Sequence, residues 1–181
     1  MVALADIKAD LPDWPDDVVD QWLLNLANQE GMGWPPPIPF NGHRWQYIIV
    51  KPVSWWKKVT WTKESRDCSF DALSLNSRKI MNSMFEALVL GIENGYGGDN
   101  SKKRFDSCLS YLAVKGQFPR VPVTMPIETG LSILDGNHRV YSLTFLQSVP
   151  EPELKKQGIT RPSVIQDVWV AKHADGEVLD S

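Results

Sequence analysis

The chain has 181 residues, 43% of them hydrophobic and 23% charged, with a formal net charge of −3 and a pI near 5.6. That length and balance suit a globular domain with a real core and exclude a disordered or fibrous chain. The acidic balance argues against a protein that coats DNA with a basic face. No apolar run approaches the roughly 18 residues of a membrane span, and the acid-containing start MVALADIKADLPDW lacks a secretory pattern. These features predict a cytoplasmic protein with no membrane segment, whose Cys68 and Cys108 lack metal-type spacing and are either both reduced, the plainer reading, or joined in one disulfide.

In chain order, residues 13–30 predict a helix: Asp13 as cap, Pro15 in the first turn, and Val18, Val19, Trp22, Leu23 and Leu26 at helical spacing before Gly31 and Gly33. Trp34 to Pro39, with four prolines, reads as a stiff extended connection. QYIIVKPV, residues 46–53, reads as a strand by its β-branched content, and 55–61 fits no element. A long helix lies within 71–94, closed by Asn94-Gly95. A glycine-rich loop, 95–100, leads into a second helix ending near Gly116. Strands are expected at 121–127 and 131–134 around a turn at 128–130, then a helix ended by Pro150 and Pro152, and a last strand at 164–172 with a frayed tail. Strands and helices mix without a βαβ repeat, so the class is α+β.

Seven of the eight tryptophans fall in the first 61 residues. Their readings are core packing, which is favoured, or an exposed surface for a protein partner. Lys102, Lys103 and Arg104 stand in a first helical turn, where the macrodipole disfavours cations. They form either a solvated charged face or one side of a phosphate site.

The densest chemistry is Asp135-Gly136-Asn137-His138-Arg139, where an apolar strand turns into a helix. Gly136 permits a sharp turn, and the helix start points its unbonded amides and positive dipole end at whatever sits there. His138 and Arg139 add a ring nitrogen and a bidentate guanidinium, a set suited to phosphate. Asp135 either caps the helix, or holds Arg139 or His138, or helps hold Mg2+. A capped helix whose Arg139 pairs with an internal acid is the plainer alternative.

Gly136-Asn137-His138-Arg139, with Ser142 where alanine is usual, resembles the GxxRxxA signature of the ParB/sulfiredoxin superfamily. Phe118 to Val123 and the strand Leu131–Leu134 fit that pattern, as does Ile48 to Val53; the likeness is clearest over residues 118–147. The resemblance implies a small mixed sheet packed with helices over 46–175, preceded by a helical, proline- and Trp-rich extension over 1–45 and followed by a frayed 176–181. It implies nucleotide binding, ATP or CTP with Mg2+, at Gly136, Asn137, His138 and Arg139, with Asp135, His138 and Arg139 catalytic in phosphoryl transfer or hydrolysis. Asp135 would be the metal ligand and Lys102, Lys103 and Arg104 further anion contacts. Glu128 and Glu86 are the candidate bases. Asn137 stands where sulfiredoxins have their catalytic cysteine, which argues against sulfinic-acid reduction. The 34 residues after position 147 leave no room for the DNA-reading helices of partition proteins. Cleavage of DNA ranks last, because no carboxylate cluster is present to hold its metals. The alternative is a non-catalytic module that senses nucleotide or binds a partner, turned towards nucleic acid if Lys57, Lys58, Lys102, Lys103 and Arg104 form one basic strip.

Overall fold

A computed structural model describes residues 1–90 and 101–179. The expected Asn94-Gly95 helix end and the loop 95–100 lie outside the described residues. Four strands, β1 (Val59–Asp67), β2 (Val123–Ile127), β3 (Gly130–Asp135) and β4 (Ile165–His173), form one mixed sheet in the order β1-β4-β2-β3. β1 pairs antiparallel with β4, β4 runs parallel to β2, and β2 and β3 make an antiparallel hairpin. The class is α+β, as expected.

Each face of the sheet carries its own helical layer, because side chains alternate across a strand. Along β4, Val168 and Val170 face one cluster while Trp169 and Ala171 face the other. On the second face lie α1 (Leu4–Asp10), the composite helix α2 and the short helix α3 (Val53–Trp56). Helix α2 is made of Asp16–Val18, the π-helical Val19–Leu24 and Asn25–Ala27. On the first face lie α4 (Leu75–Leu90), α5 (Ser101–Lys115), α6 (Asn137–Ser148) and α7 (Glu151–Lys156). Pro150 and Pro152 thus end α6, and at the same point they start α7, since proline costs nothing in a first helical turn.

The tryptophans build the layer that holds α1 to α3. Trp14, Trp22, Trp45 and Trp56 are buried, and Trp34, Trp55, Trp61 and Trp169 are partly buried against them. Trp14 stacks on Trp22 with centroids 5.9 Å apart and meets Trp56 and Trp61 edge-on at 5.6 and 4.8 Å. Two of their ring nitrogens find carbonyls, Trp56 Nε1 donating to Ile49 at 2.8 Å and Trp14 Nε1 to Trp56 at 3.2 Å, while those of Trp22 and Trp61 are buried without a partner among the described residues. Residues 1–56 share this hydrophobic cluster with Val59, Val123, Met125 and Ala171 of the sheet.

The strand expected at 46–53 is not there. Arg44–Tyr47 is a 3-10 turn, Val50 sits at φ 59°, and Val53 begins α3. The physical reason is spacing: Trp45 and Ile49, four apart and hydrogen-bonded through their backbones at 3.0 Å, are the buried pair, whereas Tyr47 is exposed. The real strand is β1, at the sheet edge, where one side needs no apolar partner and Lys63, Glu64, Arg66 and Asp67 can sit. At the other edge, α4 is stitched to β3: Ser74 N donates to Leu131 O at 2.9 Å and Ile133 N to Ser77 Oγ at 2.9 Å. The tail, expected to fray, is tied down as far as Leu179, which is buried, with Glu177 and Asp175 bonded to Trp55 and Lys58.

Truncating Trp56 to alanine is expected to cost about 3–5 kcal/mol in urea denaturation. Ile165→Ala, at an exposed position of β4, is expected to stay within about 0.5 kcal/mol.

Candidate functional site

The turn between β3 and α6 forms as the residues demand. Asp135 ends β3 opposite Val123, at a register shift in β2, and Gly136 follows at φ 103° as the residue before the helix. A Cβ there would stand 3.0 Å from Pro122 Cβ and 3.1 Å from the Arg139 guanidinium, so glycine is needed for space as well as for backbone angle. Ser142, fully buried, crosses α5 closely: its Oγ donates to His138 O at 2.8 Å and reaches Phe105 O at 3.3 Å. A larger side chain would push α5 off the helix that carries the motif.

Arg139 points inward. Its Nη2 donates to Asp135 Oδ2 at 2.6 Å, while Nη1 reaches Gln21 Oε1 at 2.8 Å and the carbonyls of Arg120 and Val121 at 2.9 and 3.3 Å. Asp135 therefore spends its carboxylate on Arg139, and no side chain caps α6. Burial raises the Asp135 carboxyl above its ordinary value despite the pull of Arg139. Beside it, Arg120 binds Asp17 through Nε at 2.8 Å and Asp20 through Nη2 at 2.7 Å, and Trp169 Nε1 donates to Asp17 at 2.8 Å. Asp17, Asp20 and Gln21 were not legible as site residues, because nothing local ties them to a motif more than 100 positions away.

Around this turn opens a cleft of about 940 Å3. One wall is the face of α2 and the residues after it, Gln21, Trp22, Asn25, Leu26 and Gln29; another is Ile80 and Met84 of α4; a third is Lys103, Arg104, Ser107 and Cys108 of α5. Arg120 and the whole run from Asp135 to Arg139 complete the lining among the described residues. Trp22, Leu26, Ile80 and Met84 contribute apolar side chains to the lining and Lys103, Arg104, Arg120 and Arg139 contribute cations, of which Arg120 is paired with Asp17 and Asp20 and Arg139 with Asp135. Lys102 does not join them: it pairs with Asp106 at 2.5 Å, one turn along α5.

His138 Nε2 lies 2.9 Å from Ser101 Oγ. Burial, then Arg104 and Arg139, lower its pKa to about 4, so the ring is neutral at pH 7. The Oδ1 of Asn137 is buried without a hydrogen-bond partner among the described residues. Glu128, one of the two candidate bases, sits in the β2–β3 turn at the opposite end of β3 from Asp135, and exposed Glu86, the other, does not line the cleft. The five cations of the expected basic strip belong to separate places: Lys57 pairs with Asp10 at 3.6 Å and Lys58 with Asp175 at 2.8 Å, beside α3. Both cysteines are free thiols, and burial pushes the Cys108 thiol up. No helix among the described residues is long and apolar enough to cross a membrane.

No known protein family, curated protein or solved structure matches the chain.

Removing one partner of a largely buried ion pair strands the other. Arg139→Ala is expected to cost about 3 kcal/mol in urea unfolding. Asp135→Ala in that background is expected to cost much less than in wild type, and strictly additive losses would show that the two do not act together.

His138 gives a pH prediction with a definite sign. Its folded pKa is lowered, so the unfolded chain binds more protons between pH 6.5 and about 4. Stability is therefore full above pH 6.5 and is lost as pH falls towards 4. The loss from this group between pH 7 and 5 is on the order of 1 kcal/mol, discounted for partial solvent access. His138→Gln should remove that part of the slope, as thermal unfolding at the two pH values would show.

Proposed function

We propose that this protein binds a nucleoside phosphate in the cleft at the start of α6. The observation that carries the reading is the cleft's mixed lining, which brings Lys103, Arg104 and the first turn of α6 together with the apolar Trp22, Leu26, Ile80 and Met84. A phosphate group alone would fill a small part of about 940 Å3. Clefts of this size hold whole small-molecule ligands, and mixed apolar and polar linings orient them. The cations meet an anion, and the apolar side chains take a flat organic body.

Within this reading the residues divide their labour. Arg139 is held by Asp135, Gln21 and two carbonyls, so it shapes the turn and adds field. Lys103 and Arg104 are the side chains that meet phosphate oxygens, with the amides of the helix start. This resolves the unfavourable placement of cations in the first turn of α5: bound phosphate supplies the negative charge that the dipole lacks there. The Asn137 amide, turned by half a revolution about its last bond, presents an NH2 donor in place of an orphaned oxygen. The strand–glycine–helix turn and the small Ser142 under it are what the likeness to ParB-like domains rests on.

The donor set fits phosphate and does not fit a magnesium ion held by the protein. Asp135 is the one carboxylate among the described lining residues, and it is bound to Arg139. Mg2+ sites draw on carboxylates and phosphate oxygens, and phosphoryl transfer calls for a group that positions the nucleophile. Neutral His138 is the remaining candidate for a proton acceptor, which makes binding and orientation the chemistry this lining supports.

Thermal denaturation against nucleoside triphosphates, diphosphates and inorganic phosphate tests the reading. A ligand at about ten times its Kd adds roughly 1.4 kcal/mol, a shift of about 3–6 °C for a chain of this length. Lys103→Ala with Arg104→Ala should abolish that shift while leaving the unliganded Tm within about 2 °C. The same shift in the double variant, or none with any of these compounds in wild type, would overturn the reading.

A further inference from the structure

The end of β4 runs into a tight turn, His173-Ala174-Asp175-Gly176, closed by Gly176 N on His173 O at 3.0 Å with Gly176 at φ 72°. One ring nitrogen of His173, one carboxylate oxygen of Asp175 and one of Glu177 lie within 4.8 Å of one another. None of the three lines the cleft.

Two further observations distinguish this group from a chance meeting of acids. His173 is only 6% exposed, yet its Nε2 is buried and bonded to nothing among the described residues. A buried polar atom without a partner is costly, and such cases call for an explanation. Each ligand is also held from behind. The imidazole is held by stacking on Trp55 at 4.4 Å; ligation through the unpartnered Nε2 moves the ring proton to Nδ1 and gives up one long bond, which Nδ1 accepts from the Asp175 amide at 3.2 Å. Glu177 Oε2 accepts from Trp55 Nε1 at 2.6 Å and Asp175 Oδ2 from Lys58 at 2.8 Å, so each carboxylate has one anchored oxygen and a second outside these bonds. Outer partners of that kind fix metal ligands in proteins.

We propose that His173, Asp175 and Glu177 form a site for a divalent transition ion of the zinc, cobalt or nickel class, with water in the remaining positions. One imidazole and two carboxylates suit such ions better than calcium or magnesium, which favour all-oxygen sets. Closing the triad to bonding distance requires movement mainly of the two exposed carboxylates. The ion takes over the charge neutralisation that Lys58 provides at Asp175, so the lysine competes with it.

The experiment uses the full chain, without an affinity tag and stripped with chelator, titrated with Co2+ and Zn2+. Co2+ is read by its visible absorption and by quenching of tryptophan fluorescence through the ring stacked on His173. One equivalent is expected to bind. Asp175→Asn with Glu177→Gln, both at exposed positions and checked for an unchanged circular dichroism spectrum, should weaken binding by at least about tenfold. Lys58→Met should tighten it, and Trp55→Phe, which removes the anchor on Glu177, should weaken it. Equal binding by the doubly substituted chain, or no binding by wild type up to about 1 mM, would overturn the proposal.

Discussion

The guanidinium of Arg139 is the joint on which this structure turns. One planar group reaches the end of β3 through Asp135, the entry to β2 through the carbonyls of Arg120 and Val121, and the second helix through Gln21. Only arginine offers donors in enough directions to serve three elements at once. The two layers on either side of the sheet meet at this point, because α6 belongs to one and α2 to the other. A second set of bonds runs alongside it, from Arg120 to Asp17 and Asp20 and from Trp169 to Asp17. Asp17 has its carboxyl held below the usual range by these bonds to Trp169 and Arg120, which outweigh the opposing effect of its burial.

What Arg139 does for the scaffold changes what is left for the cleft. Its charge is answered by Asp135 and that of Arg120 by Asp17 and Asp20. Lys103 and Arg104, by contrast, line the cavity beside a histidine that burial keeps neutral. A neutral imidazole in a cationic cleft is consistent physics, since a proton there would add charge where charge is already unfavourable. It also keeps His138 available as an acceptor, with Ser101 as its partner.

Much of this was readable in the chain. The glycine turn at 135–139, the hairpin before it, the two long helices and the last strand carry local signals, period and glycine placement, that survive without tertiary context. The failures have particular causes. Ile48, Ile49 and Val50 are β-branched, yet Trp45 and Ile49 are the side chains that reach the core, so spacing overrode propensity. β1 hid behind its charges because an edge strand is half outside. Within the motif, the residue types alone left both an anion site and an internal ion pair open. The pairing of Arg139 with Asp135 was among the readings of the sequence, but its contact with Gln21 was not, since Gln21 lies 118 positions away and only the folded chain brings it there. The tryptophans, read as core or partner surface, went to the core.

The π-helical stretch Val19–Leu24 has a consequence for how α2 serves its neighbours. A π turn holds about one residue more than an α turn, so side chains before and after it are set in different rotational phases. Before and at its start, Asp17 and Asp20 turn to Arg120, and Asp17 to Trp169 as well; after it, Asn25 and Leu26 turn to the cleft. The helix thus behaves as two short helices sharing one axis, each indexed to a different part of the molecule. Gln21, inside the wide turn, belongs to both: it reaches Arg139 with its oxygen and lines the cavity with its side chain.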